Sequence, residues 1–298
     1  MGPIPRLALS LTTATRLLVI SPHPDDGALA AAGLMARTVA RGGVVRVVQM
    51  TSGDAFSEGV KRVDHTGQPT ASDYRAYGLR RERETVAALG TVGVRPEDIT
   101  SLGFPDDGLC LLTSRYMSTD FESPYTHRTS PPSREQRLKG VEYRGRDVVR
   151  ELEEIIVSYA PTIVIVPDPG DEHPDHCSTH RFVAAALALA RRHHPSIHPR
   201  ELHYLIHFGE WPTTTAVVNH AELQPPLRFR ASAGWRTLRL TDREAAAKRR
   251  ALDAYRTQTM VIGAFMRGFE NDNELFIEGE PAAPPPCWCA GENIAPPS

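Results

Sequence analysis

The chain has 298 residues, 41% of them apolar and 23% charged, enough to bury a sizeable core and unlike a disordered protein. Basic and acidic residues nearly balance, 34 against 36, and no basic block stands out, which excludes nucleic acid as a partner. No run approaches the roughly 18 apolar residues of a membrane span, so the sequence reads as a cytoplasmic protein with no membrane partner.

In chain order, the first strong apolar run is Leu17 to Ile20, a predicted strand. It leads directly into His23-Pro24-Asp25-Asp26. Arg16 interrupts the weaker run before it, and cleavage of a leader here would sever the strand from that histidine and those carboxylates. A predicted helix then runs from Gly27 to Arg41 and stops at Gly42-Gly43. A second strand spans Val44 to Met50, and Tyr74 to Leu89 has a charged and an apolar side, as a surface helix does. Asp106 and Asp107 lie in a turn between Pro105 and Gly108. Residues 113–140 are polar, Pro-containing and long, the mark of a functional or disordered loop. Tyr116, Phe121, Tyr125, His127 and Arg128 within it are suited to touching a sugar.

The second half repeats the pattern. A helix over Val148 to Tyr159 halts before Pro161, a strand spans Thr162 to Val166, and "PDPGDEHPDHCSTH" occupies 167–180. Thr179 to Arg192 is an amphipathic helix, and Glu201 to Phe208 and Trp235 to Leu240 are further strands. Thr241 and Glu244 form a capping box that opens a helix from Asp242 to Thr257. Strands alternating with helices predict an α/β fold, a Rossmann-like, mostly parallel sheet with helices on both faces. Residues 1–279 read as one domain and 280–298 as a Pro-rich tail. Cys110, Cys177, Cys287 and Cys289 contain no C-x-x-C pair, so they read as free thiols rather than a disulfide framework.

Adjacent carboxylates repel unless something positive lies beside them. Two His- and Asp-rich loops, each after an apolar strand, belong at the carboxyl edge of a parallel sheet, where open α/β folds bind ligands. Two imidazoles and one carboxylate can converge there on a divalent ion. The competing reading of either Asp25 or Asp26 is a helix N-cap. His180, one helical turn past His176, reads as a surface or supporting residue rather than a fourth ligand, and Trp211 and Tyr255 as packing residues.

A strand leading into "SPHPDD" and a distal "HPDH" resembles the PIG-L/LmbE zinc-dependent deacetylases, which act on N-acetylglucosamine-containing substrates. The likeness runs over roughly residues 15–276, with weaker support from "TSGD", "LGFPDDGL", "HFGEWP" and "AYRTQ". It implies that His23, Asp26 and His176 bind Zn2+, with Fe2+ or another divalent ion as the substitute. By the same likeness Asp25 is the general base, His173 stabilises the oxyanion as an imidazolium, and Asp175 tunes His173. Asp106 and Arg81 would hold the substrate. Many relatives carry Glu where this chain has Gly27, a position that is not a ligand.

The expected activity is hydrolysis of an N-acetyl or other N-acyl group on a small molecule containing an amino sugar, such as a thiol-cofactor precursor or an antibiotic. The alternative is a non-haem Fe(II) oxygenase, which uses two histidines and one carboxylate. Its usual His-x-Asp spacing on a β-barrel differs from the His-x-x-Asp here. Oligomeric state has no signature in the sequence.

Overall fold

The computed structural model describes residues 3–132, 140–212, 222–229 and 234–279. The expected tail at 280–298, with Cys287 and Cys289, lies outside the described residues. Seven strands form one mixed sheet in the order β3-β2-β1-β4-β5-β7-β6. They are β1 (Arg16–Ser21), β2 (Val44–Thr51), β3 (Ile99–Phe104), β4 (Ile163–Pro167), β5 (Arg200–Tyr204), β6 (Trp235–Arg239) and β7 (Asn273–Ile277). β1 to β5 run parallel, and β7 pairs antiparallel with both β5 and β6.

The continuous apolar runs reflect helices on both faces. Leu17 and Val19 pack into one core layer, Leu18 and Ile20 into the other, as alternation along a strand requires. The first layer is covered by α1 (Asp26–Ala40) and α7 (Asp242–Asp253), the second by α5 (Gly145–Tyr159) and α6 (Pro174–His193). Among the described residues, the remaining α-helices are α2 (Ser57–Asp64), α3 (Ala71–Gly90), the single turn α4 (Leu109–Leu112) and α8 (Arg256–Arg267). α1 ends where predicted, with Gly42 at φ 78°, a conformation that favours glycine. Inside α1, Ala31 leaves helical geometry (φ −143°, ψ 16°). The buried Glu274 carboxylate accepts the Gly33 and Leu34 amides just beyond the break and pairs with the buried Lys248 ammonium at 3.1 Å.

Two expectations change, and an open one narrows. The helix predicted over 242–257 is two, because the chain turns at Ala254 and Tyr255 and restarts at Arg256. The Thr241–Glu244 capping box opens the first of them as expected. The described part of 113–140 is packed: Phe121 N–H donates to Tyr143 O, and the Phe121 and Tyr116 ring centroids lie 5.1 Å apart. Cys110 and Cys177, both buried, are disulfide-bonded rather than free thiols. Spacing along a chain does not disclose a bond that folding makes. Among the described residues, no helix is long and apolar enough to cross a membrane.

Candidate metal centre

The strand order reverses at β1. The chain runs outward through β2 and β3, then returns to lay β4 on the other side of β1. The loops after β1 and β4 therefore flank the switch point, the place where open α/β sheets form a crevice. HPDD occupies the first loop and HPDH the second.

Local chemistry fixes each histidine. His173 is the N-cap of α6, with Pro174 at the first helical position, and its Nδ1 accepts the Asp175 N–H at 3.2 Å. Asp25 is the N-cap of α1, yet its side chain makes no capping hydrogen bond. That carboxylate is free for another use. Asp26 opens the helix, and its Oδ2 accepts the His23 N–H at 2.8 Å.

Three side-chain atoms then converge. His23 Nδ1 and His176 Nε2 each lie 3.1 Å from Asp26 Oδ2, and 3.3 Å from each other. Ligands about 2.0–2.1 Å from a tetrahedral zinc are themselves about 3.3 Å apart. The donor set and its spacing thus fit a divalent cation. Looser clusters overlap this one, joining His23 and His176 to His173, Asp26 and His176 to His207, and His23 to Asp106 and Asp175. The tight triangle contains the three residues expected to ligate.

The triangle is held from behind. His176 Nδ1 lies 3.1 Å from Asp171 Oδ2, which also accepts the Ile206 and His207 amides at 2.8 and 3.0 Å. Asp171 Oδ1 accepts the His173 amide at 3.0 Å. Such a carboxylate sets the imidazole tautomer and aims the other nitrogen at a metal. His23 Nε2 faces Asp106 Oδ1 at 3.2 Å and Asp175 Oδ2 at 3.4 Å. Five buried carboxylates, those of Asp25, Asp26, Asp106, Asp171 and Asp175, meet one buried guanidinium, that of Arg81.

That imbalance shows in the titrations. Burial pulls His23 and His176 down, but the surrounding carboxylates prevail. His23 is raised well above its usual value, chiefly by Asp26, and His176 to about 9 by Asp171 and Asp26. Asp26 is held well below the carboxylate range by the two imidazoles, against its burial. His173 is lowered well below its ordinary value by burial and by His23, His176 and His207. That direction favours the neutral imidazole over the expected imidazolium. Since Nδ1 accepts a hydrogen bond, the ring proton of the neutral form sits on Nε2.

The other expected residues are all in the cleft wall or behind it, some with unexpected partners. Asp25 Oδ1 receives Arg81 Nη2 at 2.8 Å, and Arg81 Nη1 donates to Gly53 O at 2.8 Å. Burial raises the Asp25 pKa and Arg81 opposes the rise. Asp106 Oδ2 accepts the Ala55 N–H at 2.6 Å, so both of its oxygens are engaged. The Asp175 carboxylate accepts the Asp107 and Leu109 amides at 2.7 and 3.0 Å. The expectation that it tunes His173 is corrected: the Asp175 backbone N–H, not its carboxylate, orients that ring. His180 Nδ1 lies 3.1 Å from Pro167 O, away from the triangle. Tyr255, fully buried, donates to Pro24 O at 2.9 Å and so braces the HPDD loop.

Sequence reasoning missed Asp171 and His207. Asp171 sits two residues before His173, and a search for a carboxylate behind each ligand histidine would have found it. His207 lies in the quoted "HFGEWP" stretch, just past β5 on the same sheet edge. Its ring packs against His176 and His173 at 4.8 and 5.2 Å and stacks on Phe265 at 5.4 Å. From 113–140, Tyr125 OH donates to Asp107 Oδ2 at 3.1 Å at the margin of the site, whereas residues 133–139 lie outside the described residues.

Known proteins share parts of this chain. The 1D-myo-inositol 2-acetamido-2-deoxy-alpha-D-glucopyranoside deacetylase of Mycobacterium sp. (strain KMS) is 30% identical over 182 residues, 59% of this chain and 51% of that one. The match thus spans about half the length of this curated relative. The A40926 pseudoaglycone deacetylase Dbv21 shares the fold at a TM-score of 0.55 and 20% identity, over 90% of this chain and 99% of that one. So does GalB, the 4-carboxy-2-hydroxymuconate hydratase of Pseuodomonas putida KT2440, at 0.54 and 13%, over 86% and 82%. A hydratase on this fold means that architecture alone does not fix the reaction. The model of the PIG-L family, GlcNAc-PI de-N-acetylase, matches residues 18–187, a span holding both His/Asp loops. The chain is a member of the PIG-L family.

Proposed function

We propose that the protein is a divalent-metal-dependent hydrolase that removes an N-acetyl or other N-acyl group from an amino sugar on a small molecule. The observation that carries the reading is the triangle of His23 Nδ1, Asp26 Oδ2 and His176 Nε2 at 3.1, 3.1 and 3.3 Å. Its His23 and Asp26 line a cleft of about 510 Å³ whose wall also includes Asp25 and His173. Family membership and the deacetylase activity of the mycobacterial relative point the same way. The oxygenase alternative is set aside, since an acid that does not ligate suits hydrolysis and the mycobacterial relative is a deacetylase.

Zinc is the cation of choice for a site of two imidazoles and one carboxylate, where it would polarise an amide carbonyl and acidify an attacking water. Asp25 takes the proton from that water and delivers it to the departing amine. Arg81 fixes the carboxylate and opposes the rise in its pKa that burial causes. His173 donates its Nε2–H to the amide oxygen as negative charge builds there. Asp171 and the Asp106–Asp175 pair hold the two ligand imidazoles in place.

The test is the purified protein loaded with one equivalent of Zn2+ and offered N-acetylglucosamine, its methyl glycoside and its inositol conjugate. Appearance of primary amine with loss of acetate mass is the expected result. Stoichiometric metal binding without amine release from any N-acylated amino sugar would refute it.

A further inference from the structure

The cleft at the triangle is unequal in its chemistry. Its charged groups are largely spent on one another: Arg81 on Asp25 and Gly53 O, Asp106 on His23 and the Ala55 amide, Asp26 on the two ligand imidazoles. Gln258, also in the wall, uses its amide N–H on Tyr77 OH at 2.7 Å. Beyond these and Asp107, His173 and His207, the wall is Leu29, Ala55, Phe56, Ile262 and Phe265. Phe56, Ile262 and Phe265 are only partly buried by the protein.

α8 is shaped to build this apolar side. Gln258, Ile262 and Phe265 succeed one another at helical spacing on one face. The helix leaves regular geometry at Ile262 (φ −114°, ψ 24°). α8 packs against α2, whose N-cap is Phe56, so both contributors to the wall come from one pair of contacting helices. Phe265 stacks almost parallel (6°) on His207, whose ring in turn touches His173 and His176. A group lying on Phe265 is therefore only two rings from the ligand triangle.

A substrate presenting only hydroxyls here would desolvate them against Phe and Ile with few unspent partners, an unfavourable exchange. An alkyl or aryl group would instead gain by leaving water. From this we infer that the protein's substrate is an amino sugar bearing an alkyl or aryl group beside the scissile amide, rather than a fully hydroxylated glycoside. The inference rests on the deacetylase reading and narrows its substrate class. The apolar group can be either the N-acyl chain or the aglycone.

Two series of probes separate them. One is glucosamine N-acylated from acetyl to octanoyl; the other is N-acetylglucosamine as its β-methyl to β-octyl glycosides, with the inositol conjugate as the polar reference. With the zinc-loaded protein, kcat/KM should rise about fourfold per methylene over the first few carbons in one series, the gain expected of a buried CH2. The responding series identifies where the apolar group sits. Phe265→Ala and the milder Ile262→Ala should each flatten that slope, while metal stoichiometry stays at one per chain. Hydrolysis of the methyl glycoside with flat or falling slopes in both series, or a preference for the inositol conjugate, would overturn this inference and leave the deacetylase reading intact. Absence of amine release from every probe would remove both.

Discussion

The Asp171→Asn variant tests how the centre exchanges protons for metal. In the wild-type site without metal, His176 titrates at about 9 and His23 well above its ordinary value, so at pH 7 both imidazoles carry protons that a cation must displace. Both groups are raised, so the protonated form prevails below the shifted value and metal affinity climbs as pH rises. Two protons should leave per ion near pH 7, and the apparent affinity should gain about two decades per pH unit there. Asp171 acts on this in two opposed ways. Its Oδ2 gathers three donors and its Oδ1 a fourth; asparagine has one acceptor oxygen, so at least one donor loses its partner. Loss of such a support weakens metal binding roughly 10- to 100-fold. Removing the charge also lowers the His176 pKa, which relieves proton competition worth on the order of 10² at pH 7. The deficit of Asp171→Asn should thus be largest near pH 9 and shrink toward pH 7. Chelator competition with Zn2+ across this range, and calorimetry in buffers of differing ionisation enthalpy, measure both quantities. A variant with wild-type affinity at pH 9, or a deficit independent of pH, would refute the reasoning.

Asp25→Asn should retain one bound metal while turnover falls by roughly 10²-fold or more, the usual worth of a general base; loss of metal in that variant would make Asp25 a ligand. Glu274→Gln leaves the buried Lys248 without its counter-charge and should lower unfolding free energy by about 3 kcal/mol or more, read as a fall in denaturant midpoint. Asp54, beside Arg75, Arg128 and Tyr143, has its pKa pushed up to about 7 by burial and by Asp106. Its protonated form stabilises the fold fully below about pH 4, and this is lost as pH rises through 7. Asp54→Asn should accordingly gain on the order of 1–3 kcal/mol at pH 8 and nothing at pH 4; equal gains at both would disprove the assignment.

The parallel sheet was legible because β1, β2 and β4 are apolar on both faces, a signal that periodicity conveys. β3 and β7 were not read as strands. β3 is interrupted by Thr100, Ser101 and Gly103, and Gly103 sits at φ 62°. β7 contains Glu274, a charge whose burial is explained only by Lys248 and the broken turn of α1. The break at Ala31 is itself unreadable, since an Ala-rich segment is among the best of helix formers. The residues of the triangle, by contrast, were visible because His-Pro-Asp suits a helix start and a metal-holding loop at once.

What the motif could not disclose is which carboxylate serves which imidazole. HPDH placed Asp175 next to His173 in sequence, and proximity along the chain suggested a pair. Yet the first turn of a helix points successive side chains in different directions, so Asp175 turns toward His23 and the amides of Asp107 and Leu109. His173 is left with a backbone donor on Nδ1 and a proton on Nε2, the arrangement a neutral hydrogen-bond donor needs. The five carboxylates gathered about His23 and His176 require positive charge whether or not a metal is bound. Protons on His23 and His176 supply it in the metal-free state, and under the proposed function a divalent cation would supply it in the other, so the apposition of acids that costs the folded chain stability is also what would attract the ion.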